Sequence, residues 1–579
     1  MTMTRLFLAG IVCLVAARVA LAQGDVPSKV PIAFNRYYTY AELEGHMKAI
    51  AAAYPEVCEL RRVGTSGQGR DMWIAIVNNP ATGAHSTKPA MYIEGNVHGN
   101  EIQAAEVVLY SLWYLTKGAG KVEGVDKLLK DYAFYLCVSV NPDGREYWFN
   151  EVNNSSSSRS NQAPVDSDRD GLIDEDPPED LDGDGSITQM WKAEAGGAWI
   201  RDRFDPRVFT RVPPDEKGDW SLVGSEGIDN DDDGQINEDG PGGYDMNRSY
   251  PGGWLPEYVQ FGAGPYPFAH PETFGTGMFI LNHPNIGGVQ SYHNSGGMVL
   301  RGPGAAFREN LFPGQDVAVY DEIQRAGEQL LPYYRMMVIH RDLYTVHGGM
   351  VNWTGETLGV FSFTNEMMNP GMIFQRTHTD PDEAMMKLFR ERLMFGQTFK
   401  DYTAYDHPRW GKVLIGGQNK WSSRNTPTFM LEEECHRNFA FTMFHADQMP
   451  VLSFDRVDVA KTGEGAWTVT ASVRNAKAMP TRSALARQKG IGRNDLLTCA
   501  PAEGSGASVS ASGRVGSFLD RQAGDFVRFE PGRVQVDGGV PGRGSVIHRY
   551  FVSGQEGDRL TLRYEAQKAR TIETTVELR

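Results

Sequence analysis

The run Tyr132–Val140, YAFYLCVSV, constrains the fold most, because nine almost entirely apolar residues can be satisfied only by a strand buried on both faces. A strand of that kind needs helices on each side of its sheet. The flanking sequence supplies them. Tyr40 to Tyr54 carries Leu43, Met47, Ile50 and Ala51 at helical spacing. Thr39 and Glu42 form a capping box before it, and Pro55 stops it. Arg61 to Asn79 reads as two strands around a Gly-rich turn. Ala90 to Glu94 reads as a short strand, and Glu101 to Thr116 as a helix with an apolar face. The alternation predicts an α/β fold, with a mixed central sheet and helices on both faces. Beyond Pro450 the pattern changes: Val451–Asn475 and Val546–Arg579 alternate apolar and polar residues and are rich in Val and Thr. A separate β-rich, sandwich-like domain is expected over 451–579.

Met1–Ala22 has the form of a secretory signal. Arg5 precedes the apolar run Leu6–Ala17, and Ala20-Leu21-Ala22 fits a cleavage site, so a secreted or periplasmic protein is expected. No later stretch is long and apolar enough to span a bilayer. Cys58, Cys137, Cys435 and Cys499 form no CxxC pair and are read as structural, with pairing left open. The formal charge of −16, from 57 Lys+Arg against 73 Asp+Glu, excludes a basic nucleic-acid binder.

That charge is local. Asp166–Asp184 carries a net −9 and Glu226–Asp239 a net −7, so the remainder is formally neutral. Both segments fall in 151–243, a stretch rich in Asp, Gly, Pro and Ser that reads as an irregular insertion. Three of its loops place carboxylates at alternate positions before a glycine: Asp166, Asp168 and Asp170; Asp180, Asp182 and Asp184; Asp229, Asp231 and Asp233. They resemble the DxDxDG core of EF-hand and thrombospondin type 3 loops, in which alternate oxygen ligands wrap one Ca²⁺. Pro177, Trp191 and Gly240 stand where an EF-hand would have its bidentate Glu. The expectation is structural calcium in incomplete loops. The insertion runs directly into Asn247 and Arg248, so it is expected to border whatever cleft those residues line.

Chemistry concentrates elsewhere. His98-Gly99-Asn100-Glu101 places an imidazole and a carboxylate three residues apart, close enough to share a metal ion. Asn141-Pro142-Asp143-Gly144, Asp245-Met246-Asn247-Arg248, Ser291-Tyr292-His293 and Phe361–Glu366 follow in order. Together these segments resemble the zinc carboxypeptidase family, the carboxypeptidase A-like metallopeptidases, over about Tyr37 to Tyr405. The resemblance implies one catalytic Zn²⁺ held by His98, Glu101 and His293, with Glu366 as the general base. It implies that Asp245 orients His98, and that Asn247 and Arg248 hold the substrate's terminal carboxylate. Tyr344 matches the family's mobile active-site tyrosine, and Val351 its pocket-floor position, which as an apolar side chain favours apolar or aromatic residues. Two departures stand out. Lys192 follows Met190-Trp191 where the family has its oxyanion-stabilising arginine, with Arg201 and Arg203 as alternatives. Asn100 replaces an accessory arginine.

The domain expectation is a signal peptide at 1–22, a catalytic domain at 33–450 with the insertion at 151–243, and the β-rich domain at 451–579. The expected activity is removal of C-terminal residues from peptides or proteins. The alternatives are a zinc peptidase of cell-wall muropeptides and a non-catalytic, calcium-dependent surface-binding protein. His270, His283, His340 and His347 are read as structural, and Glu432–Glu434 as a solvated charge run.

Overall fold

The computed structural model describes residues 26–167, 169–203, 205–376 and 383–579. The signal-like segment 1–22 and the candidate calcium ligand Asp168 lie outside the described residues.

An eight-stranded mixed sheet forms the centre. Its order across the sheet is Cys58–Thr65, Asp71–Val77, Ala133–Cys137, Ala90–Gly95, Ile286–Asn294, Phe361–Met367, Met298–Arg301, Arg335–Val338. The strands Ala133–Cys137, Ala90–Gly95, Ile286–Asn294 and Phe361–Met367 run parallel to one another, so their carboxyl ends share one edge. Successive residues of these strands enter opposite cores, as the period of two demands. Met91, Ile93, Phe134 and Leu136 face the core beneath the helices Tyr40–Ala53, Gln103–Gly118 and Leu431–Asp447. Ala90, Tyr92, Ala133 and Tyr135 face a second core with Phe279 and Ile280 of the helix Pro271–Leu281. The first helix begins with the expected capping box, Thr39 and Glu42 bonding reciprocally.

The insertion is more ordered than its composition suggests. It contributes strands Gln189–Gly197, Trp199–Arg201, Phe209–Arg211 and Gly218–Ser225. These join the hairpin Phe399–His407 and Gly411–Gln418 in a second, six-stranded sheet, antiparallel throughout. The strands lack a clean period of two because their small core, Met190, Val413 and Ile415, is closed by aromatic stacking, with Trp191 and Phe209 parallel at 3.9 Å.

Beyond residue 451 a five-stranded and a four-stranded sheet, mostly antiparallel ladders, enclose one core. Val469, Ala471, Tyr550 and Val552 come from one sheet and Leu497, Leu560, Leu562 and Tyr564 from the other. All four described cysteines are free and buried, so no disulfide contributes. No helix among the described residues is long and apolar enough to cross a membrane.

Candidate metal centre and cleft

The site is assembled at the carboxyl edge of the central sheet, where adjacent parallel strands end together. Glu366 and His293 are direct register partners on neighbouring strands. His98 and Glu101 come from the tight turn after Ala90–Gly95. They do not open the following helix, which starts at Gln103. The pair instead closes an i to i+3 turn, with Glu101 N donating to His98 O at 3.2 Å. Gly99 is required in that turn, because a Cβ there would meet the Ser158 carbonyl oxygen at 2.3 Å.

His98, Glu101 and His293 are 3%, 2% and 2% exposed and offer ligand atoms within 4.8 Å of one another. The Glu101 carboxylate lies 3.0 Å from His98 Nδ1 and 2.9 Å from His293 Nδ1, and the two ring nitrogens are 3.2 Å apart. His98 Nε2 meets Asp245 Oδ1 at 2.9 Å. A neutral His98 donating there presents the Nδ1 lone pair to a carboxylate. Lone pairs of two imidazoles and one carboxylate then converge, a donor set that fits a zinc ion with one position left open. Burial raises the Glu101 pKa, and the charge of the two histidines in their protonated, ion-free form more than offsets it, holding it well below the usual carboxylate range.

Outer contacts brace this set. Burial would also raise Asp245, but Arg248, His98 and Arg159 hold it well below its usual value. On the far side, the Ser291 hydroxyl sits 3.3 Å from His293 Nε2 and 3.1 Å from the fully buried Glu94, whose carboxyl burial pushes up to about 7. Glu366 is pushed up to about 7, first by burial and then by the Glu101 charge, against the pull of His293, Arg159 and Arg424. A carboxyl with that affinity can take and return a proton near neutrality.

Asn247 and Arg248 follow in the short turn Met246–Arg248, whose start Asp245 caps. Asn247 Oδ1 accepts from Met350 N at 2.8 Å. Arg248 Nη2 reaches the Tyr344 hydroxyl at 3.5 Å, and Tyr344 is half exposed. Val351 is buried among Met298, Leu300, Met337, Ile339 and Val346.

Lys192 is corrected. It lies on the six-stranded sheet with its ammonium 5.9 Å from the Trp410 ring centroid, and Arg201 is stacked over Phe209 and Trp220. Neither contacts the metal-ligand set. The cation at the centre is Arg159, which the sequence reading missed. Its Nη1 lies 3.1 Å from Glu101 Oε1 and its Nη2 3.2 Å from Asp245 Oδ2. Arg159 lies inside the stretch 151–243 read as an irregular insertion, seven residues before its first acidic run, so the local alignment slid to Met190-Trp191. The Ser-rich run Ser155–Ser158 held the only cue. Arg424, 3.6 Å from Glu101, is a second cation the sequence did not indicate. Asn100 instead ties Ser155 and Ser156 by hydrogen bonds to their carbonyl oxygens.

The acidic loops are brought together across the insertion. Asp229, Asp231 and Asp233 form one oxygen cluster. Asp180 and Asp182 form another, with Glu226 in place of Asp184. Two clusters join the distant loops: Asp170 with Glu175 and Asp231, and Asp176 with Asp231 and Glu238. Asp166 joins none of them. Its carboxylate accepts from Arg169 N and Gly171 N. Asp184 lies 3.4 Å from Lys400 Nζ.

A sequence model of a family described as Zinc carboxypeptidase matches residues 43–189 and 217–389, and one described as a domain of unknown function matches 451–577. Carboxypeptidase D of Drosophila melanogaster is 28% identical over 138 residues, covering 22% of this chain and 10% of that protein. Carboxypeptidase Z of Mus musculus is 31% identical over 128 residues, covering 21% and 19%. The chain thus matches less than a fifth of the length of either relative. The crystal structure of carboxypeptidase A from Helicoverpa armigera aligns with a TM-score of 0.44 and 14% identity, covering 72% of this chain and 74% of that one.

Proposed function

Since the chain belongs to the zinc carboxypeptidase family, we propose that it is a zinc-dependent metallocarboxypeptidase that releases C-terminal residues from peptides. The observation that carries the reading is the buried convergence of His98 Nδ1, His293 Nδ1 and the Glu101 carboxylate, with Glu366 beside them. His98, Glu101 and His293 would hold the ion, which supplies Lewis-acid polarisation of the scissile carbonyl and acidifies water.

The chain's own residues do the rest. Arg248 and Asn247 bind the terminal carboxylate, for which a planar guanidinium fork is suited. Tyr344, half exposed and next to Arg248, can close over that group. Glu366 accepts the proton of the attacking water and delivers it to the leaving amine. Arg159, fixed by Asp245 and Glu101, faces the oxygen that gains negative charge. Asp245 holds the His98 tautomer that leaves Nδ1 free to ligate.

Calcium in the insertion and export across a membrane belong to the same reading. Asp239 is fully buried with its Oδ1 unpartnered among the described residues, and the half-buried Glu238 gathers with Asp176 and Asp231. Uncompensated buried carboxylates are costly, and a hard cation removes the cost. The signal-like Met1–Ala22 supports export.

The test is metal removal and return. Dialysis against 1,10-phenanthroline should abolish release of the last residue from a peptide, and one equivalent of zinc should restore it. Activity that survives complete metal removal would overturn the reading.

A further inference from the structure

A polar cavity of about 410 Å³ opens between the insertion sheet and the wall of the catalytic cleft. Its walls carry hydroxyl and amide groups, including Asn154, Ser155, Gln189 and Gln418, and its charged lining is Arg207 and Arg390. The Arg390 side chain is 7% exposed, yet its Nε and Nη2 have no hydrogen-bond partner among the described residues. The nearest anion, Asp205, lies 3.7 Å from Nη2. That carboxylate is already taken by Arg207 Nε and Nη2, both at 3.0 Å, and approached by Lys387 at 3.4 Å. Glu391 is 2.8 Å from Arg207. Arg207, Lys387 and Arg390 thus share Asp205, and Arg390 keeps Nε and Nη2 without a hydrogen-bond partner among the described residues. Arg390 and Arg207 both pack on the Phe399 ring, at 5.0 and 5.7 Å from its centroid. A buried guanidinium with unused N–H groups costs free energy unless an acceptor arrives, and its planar fork matches a carboxylate.

The cavity wall adjoins the metal centre through Arg424. The Ser155 carbonyl accepts from Arg424 Nε at 3.1 Å, and Arg424 Nη1 is 3.6 Å from Glu101 Oε1. Arg248 lies 3.6 Å from Asp245 and 3.5 Å from the Tyr344 hydroxyl, and neither Arg248 nor Tyr344 lines the cavity. With the last carboxylate at Arg248 and the scissile bond at the metal centre, the upstream residues are the part of a peptide left to occupy this cavity.

We propose that this cavity is an upstream subsite in which Arg390 binds a carboxylate-bearing side chain of the substrate, on the amino-terminal side of the bond that is cut. The proposal rests on the carboxypeptidase reading and adds a specificity that the metal centre alone does not have.

The test uses the full-length, zinc-loaded protein and peptides identical except for Glu, Gln or Lys at one upstream position at a time. At one position kcat/KM for the Glu peptide should exceed that for the Lys peptide at least about tenfold, about 1.4 kcal/mol. Arg390→Gln should reduce that ratio to about threefold or less, while the Gln peptide is cleaved within about threefold of the wild-type rate. Thermal unfolding of the variant separates loss of the subsite from loss of the fold. Should Arg390→Gln not fold, Gln418→Glu, which puts a competing carboxylate on the wall, should lower the same ratio. A wild-type enzyme indifferent to charge at every upstream position would overturn the proposal, as would a preference that persists in a folded Arg390→Gln. If no peptide is cleaved at all, the carboxypeptidase reading fails instead.

Discussion

Glu366 and Arg159 carry the sharpest consequences at the scale of single residues. Glu366→Gln keeps the side-chain volume and removes the proton acceptor. It is expected to keep zinc at wild-type stoichiometry while kcat falls by roughly 10²–10⁴. Metal analysis beside steady-state kinetics checks both halves, and unchanged kcat would remove Glu366 from the mechanism. Arg159→Ala is expected to lower kcat about 10²–10³-fold, the usual effect of losing one oxyanion donor, whereas Lys192→Ala should leave kcat within about threefold. The reverse ranking would reinstate Lys192. His98, Glu101, His293 and Glu366 were legible because each sits beside a recognisable strand end. Arg159 was not, because 85 residues separate it from Asp245. Its partnership with Asp245 is a product of folding alone. Glu434 shows a similar limit. In sequence it reads as part of a solvated run, but it is buried and accepts from Tyr334 at 2.6 Å and Gln103 at 2.9 Å.

The acidic insertion is the element whose behaviour differs most from its composition. Its strands were illegible because they lack alternation and are completed by a hairpin that lies some 200 residues downstream. The acidic loops themselves were legible, but their pairing was not. Asp176 bridges to Asp239 across more than 60 residues, and the sequence reading omitted Glu175, Glu226 and Glu238. Asp231 belongs to three of the four acidic clusters. Calcium at a hundredfold excess over its Kd should stabilise the protein by about 2.7 kcal/mol. Asp231→Asn should abolish most of the calcium-dependent rise in Tm measured by calorimetry. A Tm indifferent to calcium in the wild-type protein would show that these loops hold no ion.

Across the whole molecule, the C-terminal sandwich is clamped to the catalytic region. Asp316 accepts from the backbone of Ala484 and Leu485 at 2.9 and 2.8 Å, and Arg570 donates to the Thr82 carbonyl at 2.7 Å. Alternation of apolar residues made the sandwich readable in sequence. The clamp was not readable, because single polar side chains on unrelated loops make it. Stability should depend on pH through buried histidines. Burial lowers His445 to about 3 and His270 and His548 to about 4, so each is neutral in the folded state. The unfolded chain protonates them below about 6.5, so their stabilisation is complete above that pH and is lost as pH falls towards 3–4. Glu94 and Glu106, raised to about 7 by burial, act in the opposite direction. The histidine share is therefore read as a difference between proteins. Between pH 7 and 5 the wild type should lose about 2 kcal/mol more than His445→Gln, by urea unfolding at each pH. Parallel pH profiles would show that His445 is not neutral in the fold.

The account as a whole turns on recognition of a free C-terminus by Arg248 next to a zinc centre. Mass spectrometry of two peptides identical except for a terminal carboxylate or carboxamide tests it most directly. The zinc-loaded protein should release single residues from the free acid and cleave the amide at least about 100-fold more slowly, the cost of about 2.7 kcal/mol expected for an arginine left without its carboxylate. Equal cleavage of both peptides, or cleavage at internal bonds, would contradict it.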